Sequence, residues 1–322
     1  METTGHAPVL LDEVMDVLRP QGGETVLDCT AGRGGHATAL AQALASDGGG
    51  TIVLCDLDAE NLVFSAERVR EAVGDSVRVE TLAGNFASAP RRMLELGLSA
   101  DAVLADLGFS SNQMDDRSRG LSFQGEGPLD MRLDPSGPVT AADLVNSVSE
   151  QELSEILRDF GEERHHRAIA RKVVAVREGS PIQTTAELAE IVRSVVGSRT
   201  PSGPGGGRKT IHPATKTFQA LRIAVNDELG NLDALLEAVQ RAGSAMRIEG
   251  GTAARWIRRG ARIAVISFHS LEDRRVKRAM AGLEDRGLGK VLTGRPISAS
   301  DEEISRNPRS RSAKLRAIRI MP

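Results

Sequence analysis

The stretch Thr25–Asp58 constrains the fold more than any other part of this chain. It begins with a short apolar run that ends in Asp28 and then turns through the glycine-rich segment Gly32–His36. A small-residue helical pattern follows, and a second apolar run ends in Asp56. Strand, glycine turn, helix, strand and acid in this order form the unit that places a nucleoside-bearing ligand at the carboxyl ends of parallel strands. The sequence therefore predicts an α/β fold with a ligand site above this turn.

The acid before the glycine turn discriminates between two ligand classes. Dinucleotide sites use the spacing G-x-G-x-x-G and seat a pyrophosphate on the helix N-terminus. Here the spacing is G-x-G-G, and Asp28 precedes the first of these glycines by four residues. A carboxylate at that place repels a phosphate but attracts the cationic methionyl end of S-adenosylmethionine. The charge argument favours S-adenosylmethionine over NAD, and a tight turn without any ligand stays open as an alternative.

The alternation of strands and helices continues to a fourth strand pattern at Asp101–Leu107, which runs through Asp106 into a Gly/Ser turn. A series of helical patterns follows, two of them with capping-box signatures at Ser149 and Thr184. The alternation then resumes with a fifth strand pattern, Arg262–Phe268. Two late apolar segments, residues 291–293 and 315–320, fit an antiparallel pair at the edge of the sheet.

Composition indicates a globular protein with an uneven charge distribution. Hydrophobic residues make up 40% of the chain, and no apolar run has transmembrane length, so we expect a cytoplasmic protein. Residues 255–322 contain 17 Lys and Arg against 7 Asp and Glu, whereas residues 1–130 are strongly acidic. A basic segment of this kind suggests a phosphate-bearing partner, although a solvated charged face is the simpler alternative. Cys29 and Cys55 fit buried reduced thiols and are too few for a metal site.

Blocks of residues along nearly the whole chain resemble one family. The chain is similar to the ribosomal RNA small-subunit methyltransferase H family, also called the MraW family. The resemblance rests on blocks at 28–36 (DCTAGRGGH), 106–113 (DLGFSSNQ), 128–132 (PLDMR), 160–164 (FGEER), 212–215 (HPAT), 218–223 (FQALRI), 266–273 (ISFHSLED) and 309–316 (RSRSAKLR). It implies a Rossmann-like class I S-adenosylmethionine-dependent methyltransferase sheet with an inserted all-helical domain. We place the discontinuous core at residues 1–112 and 214–322 and the inserted substrate-recognition domain at 113–213.

The resemblance also implies an activity and a set of cofactor contacts. Members transfer a methyl group from S-adenosyl-L-methionine to the exocyclic N4 amine of one cytosine in the decoding region of 16S ribosomal RNA, within the small ribosomal subunit. The partner is therefore expected to be this RNA rather than DNA or a membrane, and a homodimer stays open. No metal is expected. The cofactor contacts carried over from the family are Gly34, Gly35, His36, Asp56, Phe86, Asp106 and Gln113. From pattern alone, Phe86 fits a core position as well as an adenine contact.

The chemistry of an amine target points to the turn after the fourth strand. The lone pair of the cytosine amine is delocalised, so the enzyme must align it with the methyl group and accept its protons. We assign Asp106 as the main acceptor, with Ser110 and Ser111 directed toward the ring edge. Methylation at carbon 5 would need a cysteine nucleophile, and residues 106–113 contain none. A carboxylate at Asp106 that only faces the cofactor is the competing interpretation.

Other polar residues are predicted to hold the RNA. Asp130, Arg132, Asn226 and His269 are substrate-binding candidates, with Glu272 beside them. Arg132 could instead hold an internal carboxylate, and His269 could be a proton relay or orient Asp273. Basic side chains would position RNA through its phosphates: Arg164, Arg167, Arg171, Arg309 and Arg311. Two segments depart from the family pattern. The linker Arg199–Lys209 is richer in glycine than expected, and the segment Arg247–Arg259, which carries Trp256, is longer than the usual turn before the fifth strand.

Three other functions stay open as alternatives: a DNA or protein-amine methyltransferase on the same core, an NAD-linked oxidoreductase, and a non-catalytic RNA-binding assembly factor.

Overall fold

The computed structural model describes residues 8–123, 125–197, 212–247 and 255–321, and for Ser111 the backbone alone. The linker Arg199–Lys209 and most of the segment Arg247–Arg259 therefore lie outside the described residues. None of the helices in the described ranges combines the length and the apolar character that crossing a bilayer requires.

A seven-stranded sheet organises the first part of the fold. Its strands in chain order are β1 Thr25–Asp28, β2 Gly50–Asp56, β3 Val77–Ala83, β4 Ala100–Asp106, β5 Ile257–Ser267, β6 Gly289–Val291 and β7 Lys314–Ile320. The spatial order is β3-β2-β1-β4-β5-β7-β6. Strands β1 to β5 are parallel, while β7 runs antiparallel to both β5 and β6. The predicted methyltransferase-type sheet with its late antiparallel pair is confirmed.

Strand β1 lies where the strand order reverses. It pairs with β2 on one side and with β4 on the other, so Asp28 lies between Leu54 and Leu104. In open α/β sheets the crevice at the carboxyl end of such a switch point is where ligands bind. The sequence unit that dominates the amino-terminal part of the chain is therefore placed at the ligand-binding position of the fold.

The helices run on both faces of the sheet and through a second compact unit. In chain order they are α1 Leu11–Leu18, α2 Gly35–Ser46, α3 Ala59–Val73, α4 Ala89–Glu95, α5 Ser111–Asp115, α6 Ala141–Ser147, α7 Glu150–Gly161, α8 His166–Arg177, α9 Thr185–Val196, α10 Thr215–Asn226, α11 Glu228–Met246, α12 Ser270–Asp285 and α13 Asp301–Arg306.

Strand residues alternate between two buried cores, as the twofold period of a β-strand requires. Leu27, Val53 and Val103 belong to the core on one face, and Val26 and Ile52 belong to the core on the other. All five are fully buried. Burial on both faces explains why these strands read as continuous apolar runs in the sequence.

The chain divides into two compact units at positions that differ from the sequence-based boundaries. One unit comprises Met1–Gly108 and Leu229–Pro322, and the other comprises Phe109–Glu228. The predicted return to the core at residue 214 is therefore too early. Helix α10 belongs to the inserted unit, because its buried residues Phe218 and Leu221 pack in that unit's own core with Leu157 of α7. An amphipathic pattern shows that a helix is packed but does not identify the core it joins.

The inserted unit is helical, and its helix starts follow the predicted chemistry. Ser149 is the N-cap of α7 and Thr184 is the N-cap of α9, each in a capping box completed by the Glu three residues later. Both predicted capping boxes are confirmed.

Three further features of the sheet unit bear on its packing. Strand β5 begins at Ile257, five residues before the predicted start, and Trp256 just ahead of it is 4% exposed in the core. The two cysteines are buried free thiols, as predicted. At the amino-terminal side, the backbone N–H of Leu10 donates to Oε1 of Glu303 in α13 at 2.9 Å, which ties this segment to the late part of the chain.

Candidate active site

The glycine turn after β1 has a left-handed residue at its end. Gly34 has φ 75° and ψ 17° and directly precedes α2. A Cβ at this position would lie 3.2 Å from Cα and Cβ of Ser65, and a Cβ at Gly35 would lie 3.1 Å from the ring of Pro8. The left-handed backbone favours glycine at position 34, and the tight packing favours a residue without a side chain at both positions, which lets α2 lie close to its neighbours at the carboxyl end of the sheet. Their contact with a cofactor stays a prediction.

A chain of hydrogen bonds joins the ends of β1 and β4. The N–H of Thr30 donates to Oδ1 of Asp28 at 3.0 Å, and the N–H of Asp106 donates to Oγ1 of Thr30 at 2.7 Å. Thr30 thus holds two carboxyl-bearing residues in place across neighbouring strands. Sequence reasoning expected Asp28 to attract the cationic end of the donor but did not name it among the site residues, and it did not consider Thr30. The placement of Asp28 at the end of a strand was a signal for it, whereas the contact of Thr30 spans 76 residues and has no local signature.

Both carboxyl groups are held in surroundings that disfavour their charge. Burial, with the nearby charge of Asp56 as a smaller cause, raises the pKa of Asp28 to about 7. Burial also raises the pKa of Asp106 well above its usual range, and the charges of Asp28 and Glu272 act in the same direction. Carboxyl groups this strongly perturbed, lying at the carboxyl ends of adjacent strands, are typical of a functional site.

Two of the oxygens in this pair fit a cationic ligand. Oδ2 of Asp28 and Oδ1 of Asp106 are enclosed, and none of the residues in the described ranges forms a hydrogen bond with either atom. Buried polar atoms without partners are uncommon and point to a missing group. A positively charged group that donates hydrogen bonds, such as the methionyl end of S-adenosylmethionine, has the charge and the donors that both oxygens lack.

Asp56 at the end of β2 is the predicted ribose contact. Its carboxylate accepts the N–H of Gly32 at 2.7 Å and the N–H of Asp58 at 2.8 Å. Burial raises its pKa to about 6, although these backbone hydrogen bonds oppose the shift. The side chain of Asn61 also forms a hydrogen bond with this carboxylate. A carboxylate has about four lone-pair positions, so these three hydrogen bonds still leave acceptor capacity for a hydroxyl group. Asp56 therefore has the chemistry for the predicted role and also orders the glycine turn.

The side chain of His36 is directed at protein groups. Its ring is 7% exposed, with Nε2 2.9 Å from the carbonyl oxygen of Val9 and Nδ1 3.5 Å from Oδ2 of Asp106. Phe86 is half-buried and packs against the core on one face of the sheet, just after Asn85 caps the turn with its side chain. A cofactor contact by either side chain stays a prediction.

The remaining predicted residues near strand β4 lie in the inserted unit. Gln113 is buried, and its Oε1 accepts the N–H of Ser110 at 3.0 Å, so the two residues order the start of α5 together. The side chain of Ser111 is outside the described part of the structure.

Asp130 and Arg132 form a bidentate ion pair. The Nε of Arg132 lies 2.8 Å from Oδ1 of Asp130, and Nη2 lies 2.7 Å from Oδ2. Nη1 donates to the carbonyl of Gly137. Arg132 thus holds an internal carboxylate, the alternative that the sequence left open. Partial burial raises the pKa of Asp130, but the hydrogen bonds from Arg132 outweigh it and hold this pKa below its usual value.

Asn226 at the end of α10 orders the same loop. Its Oδ1 accepts the N–H of Leu133 at 2.7 Å, and its Nδ2 donates to the carbonyl of Met131 at 2.8 Å. Met131 has φ 63°, so the amide of Asn226 fixes a loop residue in a conformation that non-glycine residues seldom adopt. Contact of these residues with RNA stays a prediction.

His269 is the N-cap of α12 and lies at the carboxyl end of β5. Its Nε2 lies 3.3 Å from Oε1 of Glu272, and the N–H of Glu272 lies 3.4 Å from Nδ1 of His269. The suggestion that His269 orients Asp273 is wrong, because Asp273 pairs with Arg316 at 2.6 Å and with Lys314 at 3.5 Å. A capping box explains why His269 contacts Glu272 and not Asp273, since the residue three positions after an N-cap faces back toward it.

Basic side chains form an exposed face on α8. Arg167, Arg171 and Lys172 are exposed on this helix, and Arg164 is exposed just before it. Within this face only Arg171 has an ion pair among the described contacts, a 3.6 Å approach to Glu150. In the sheet unit, Arg309 and Arg311 are exposed in the turn before β7. Each group is a positive surface suited to phosphates.

Comparisons with known proteins agree on one family. The model of a family described as the MraW methylase family matches residues 3–321. A ribosomal RNA small subunit methyltransferase H of Acidobacterium capsulatum is 42% identical over 320 residues, covering 98% of this chain and 99% of the relative. The protein of the same name from Syntrophotalea carbinolica is 44% identical over 335 residues, covering 99% and 98%. That from Deinococcus deserti is 44% identical over 317 residues, covering 98% and 93%.

Proposed function

Since this chain belongs to the MraW methylase family, we propose that it methylates the exocyclic N4 amine of a specific cytosine in the decoding region of 16S ribosomal RNA. S-adenosyl-L-methionine is its methyl donor. The family and the names of the relatives support the RNA of the small ribosomal subunit as the substrate. The observation that carries the proposal is the pair of enclosed carboxyl oxygens, on Asp28 and Asp106, at the carboxyl ends of β1 and β4.

The state of the two cysteines favours nitrogen over carbon as the methyl acceptor. Carbon-5 methylation proceeds through a cysteine thiolate, whereas an amine needs only alignment and a proton acceptor. Burial raises the pKa of Cys29 well above its ordinary value and raises that of Cys55 to about 12. Both thiols therefore stay protonated at neutral pH, and neither is suited to attack a pyrimidine ring.

Asp106 is the residue we assign to the amine. When bound, S-adenosylmethionine supplies an electrophilic methyl group on a positively charged sulfur. The carboxyl group of Asp106 accepts a hydrogen bond from the amine N–H, which turns the nitrogen lone pair toward the methyl group. As the new carbon–nitrogen bond forms and the carbon–sulfur bond breaks, the amine proton passes to this carboxyl group. Asp28 adds the negative charge that holds the cationic end of the donor.

The basic surfaces give the RNA a place to bind. The exposed face of α8, with Arg164, Arg167, Arg171 and Lys172, contacts backbone phosphates of the substrate in this proposal, as do Arg309 and Arg311. A base buried in a stack cannot reach a carboxyl group at the end of β4, so the target cytosine is extruded before transfer. Because ribosomes work in the cytoplasm, the proposal also implies a cytoplasmic protein.

Mass mapping of the methylated nucleoside tests the proposal. The full chain is incubated with small ribosomal subunits that lack this modification and with labelled S-adenosylmethionine. The RNA is then digested and its nucleosides identified. We expect N4-methylcytidine in an oligonucleotide of the decoding region. A 5-methylcytidine product, or label in ribosomal proteins alone, would contradict the assignment, and transfer to DNA or binding of NAD in parallel assays would favour a rival function.

A pair of variants on one strand tests the role of Asp106. Asp106→Ala is expected to lower the methylation rate by about 10²–10⁴-fold while the protein stays folded. Asp101→Asn is the matched control, because Asp101 lies at the opposite end of β4, where its Oδ2 accepts the N–H of Thr25 at 2.9 Å. An asparagine can keep that acceptor, so this variant should retain wild-type turnover. Equal rates in wild type and Asp106→Ala would remove the assignment.

A further inference from the structure

His36 stands between a fixed backbone carbonyl and the carboxyl group assigned to the amine. Its ring contacts the carbonyl oxygen of Val9 through Nε2 at 2.9 Å and Oδ2 of Asp106 through Nδ1 at 3.5 Å. The Val9 carbonyl is held in place, because the next residue, Leu10, donates its N–H to Glu303 at 2.9 Å. The ring therefore has a defined orientation at the start of α2.

The partner of Nε2 fixes the tautomer of the ring. A backbone carbonyl can only accept, so Nε2 must carry the hydrogen. Burial lowers the pKa of His36 to about 4, which leaves the ring neutral at pH 7. A neutral ring with its hydrogen on Nε2 presents the lone pair of Nδ1 to Oδ2 of Asp106.

The charges around Asp106 favour a proton at this contact. The carboxyl groups facing it are Asp28 from β1 and Glu272 from α12, and both raise its pKa in addition to burial. Among the described contacts of Asp106, the group that can accept a proton from it is the imidazole of His36, whose Nδ1 lies 3.5 Å from Oδ2 of Asp106. Oδ1, the other oxygen, has no hydrogen-bond partner among the described residues.

We propose that His36 is a positioning residue and proton partner for Asp106: the two side chains share one proton between Nδ1 and Oδ2, and this proton moves to Nδ1 when the carboxyl group receives the amine proton. The inference deepens the proposed methyl transfer and rests on it. Before transfer the shared proton lies on Oδ2. As the carboxyl group of Asp106 takes the proton of the amine, the shared proton moves to Nδ1.

The charges balance over this sequence. The positive charge that the sulfonium loses when its carbon–sulfur bond breaks ends on the imidazolium of His36. After the products leave, His36, whose pKa is so low, returns the shared proton to Oδ2 of Asp106, and the carboxyl group releases to solvent the proton that it took from the amine, which restores the starting state. The role needs both the lone pair at Nδ1 and the anchoring hydrogen bond at Nε2.

Two substitutions separate these contacts. In His36→Gln, the amide nitrogen of glutamine can reach the position of Nε2 and keep the hydrogen bond to Val9, but no acceptor faces Asp106. In His36→Asn, the amide oxygen can take the position of Nδ1 and keep the contact with Asp106, but the anchor on Val9 is lost. Asparagine cannot be protonated, so it restores positioning and not proton uptake.

The test measures single-turnover methylation, donor affinity and thermal stability of the three full-length proteins. We expect the rate at pH 7 to fall in the order wild type, His36→Asn, His36→Gln, with His36→Gln at least about tenfold below wild type. Stability should follow the opposite order for the two variants. In both variants the rate should rise with pH, because Asp106 must then lose its proton to solvent before it can accept another. The wild-type rate should be less sensitive to pH over the same range.

A purely structural His36 would give rates that follow stability, with His36→Gln the more active variant, and that result would overturn the inference. Wild-type protein that transfers no methyl group to the RNA would instead refute the proposed function. If neither variant folds, nitrogen-15 spectra of histidine-labelled wild type still decide the matter. The inference requires His36 to carry its hydrogen on Nε2 and to accept at Nδ1, and a hydrogen on Nδ1 of the resting protein would refute it.

Discussion

Replacing Asp28 with asparagine is expected to stabilise the donor-free protein above neutral pH and to weaken donor binding. Asp28 is 1% exposed, its Oδ1 accepts the N–H of Thr30, and its Oδ2 has no hydrogen-bond partner in the described ranges. An ionised carboxylate in this place keeps its charge with little solvation. Asparagine has the shape of the protonated acid and can keep the contact with Thr30, so it removes the charge and little else.

The magnitude follows from the shift of the Asp28 pKa from 3.8 to about 7. Between these values the native protein binds a proton that the unfolded chain has already released, so the free energy of unfolding falls as pH rises. The fall is complete above about pH 7 and amounts to about 4 kcal/mol. The asparagine variant lacks this fall. The two proteins should therefore be equally stable near pH 4 and differ by several kcal/mol at pH 8, with the variant more stable.

Urea denaturation between pH 4 and pH 8, without donor, measures this difference. Comparison of the two proteins cancels the titration of other groups, apart from the coupled shifts of Asp56 and Asp106. Calorimetric titration with S-adenosylmethionine at pH 8 should then show affinity reduced by at least about tenfold, equivalent to about 1.4 kcal/mol. Stability curves that run parallel at all pH values, or an unchanged donor affinity, would refute the argument that Asp28 is a strained anion kept for a cation.

Three further outcomes are expected. In the same denaturation assay, Gly34→Ala should lower the free energy of unfolding by about 1–2 kcal/mol because of the left-handed backbone, and by more because of the close contact with Ser65. Gly48→Ala is its control: Gly48 has a similar φ of 97° with nothing within 4 Å, so only the backbone contribution should be lost. Lys172→Ala on the exposed face of α8 should weaken RNA binding and reduce the slope of log affinity against log salt by about 0.7–0.9, while Arg91→Ala on α4 should leave the slope unchanged. Ser149→Ala should cost the inserted unit about 1 kcal/mol in chemical denaturation, and no change would argue against the capping box.

Local patterns in the sequence predicted the elements that have local causes. The glycine turn and the capping boxes at Ser149 and Thr184 each depend on residues close in the chain, and the structure confirms them. The family resemblance supplied the predicted cofactor contacts, and the chemistry of an amine target supplied the predicted acceptors after β4; contacts of both sets with donor and RNA stay predictions.

Contacts distant in sequence were not accessible to the same reasoning. The hydrogen bond from Asp106 to Thr30 joins two strand ends that are neighbours only because β1 and β4 pair. The assignment of α10 to the inserted unit was missed for a related reason, since an apolar helix stripe does not identify its partner. The partner of His269 was also wrong, although the N-cap position of this histidine was a usable local signal for Glu272.

The position of β7 has a consequence for how the protein is made. This strand is synthesised after all the others, yet it lies inside the sheet between β5 and β6. While residues 268–313 are being translated, the edge of β5 has no neighbour to occupy its backbone groups, and such an edge invites pairing with other nascent chains. The sheet is thus completed only when β7 pairs with β5 and β6, and chaperone dependence should be greatest before that step.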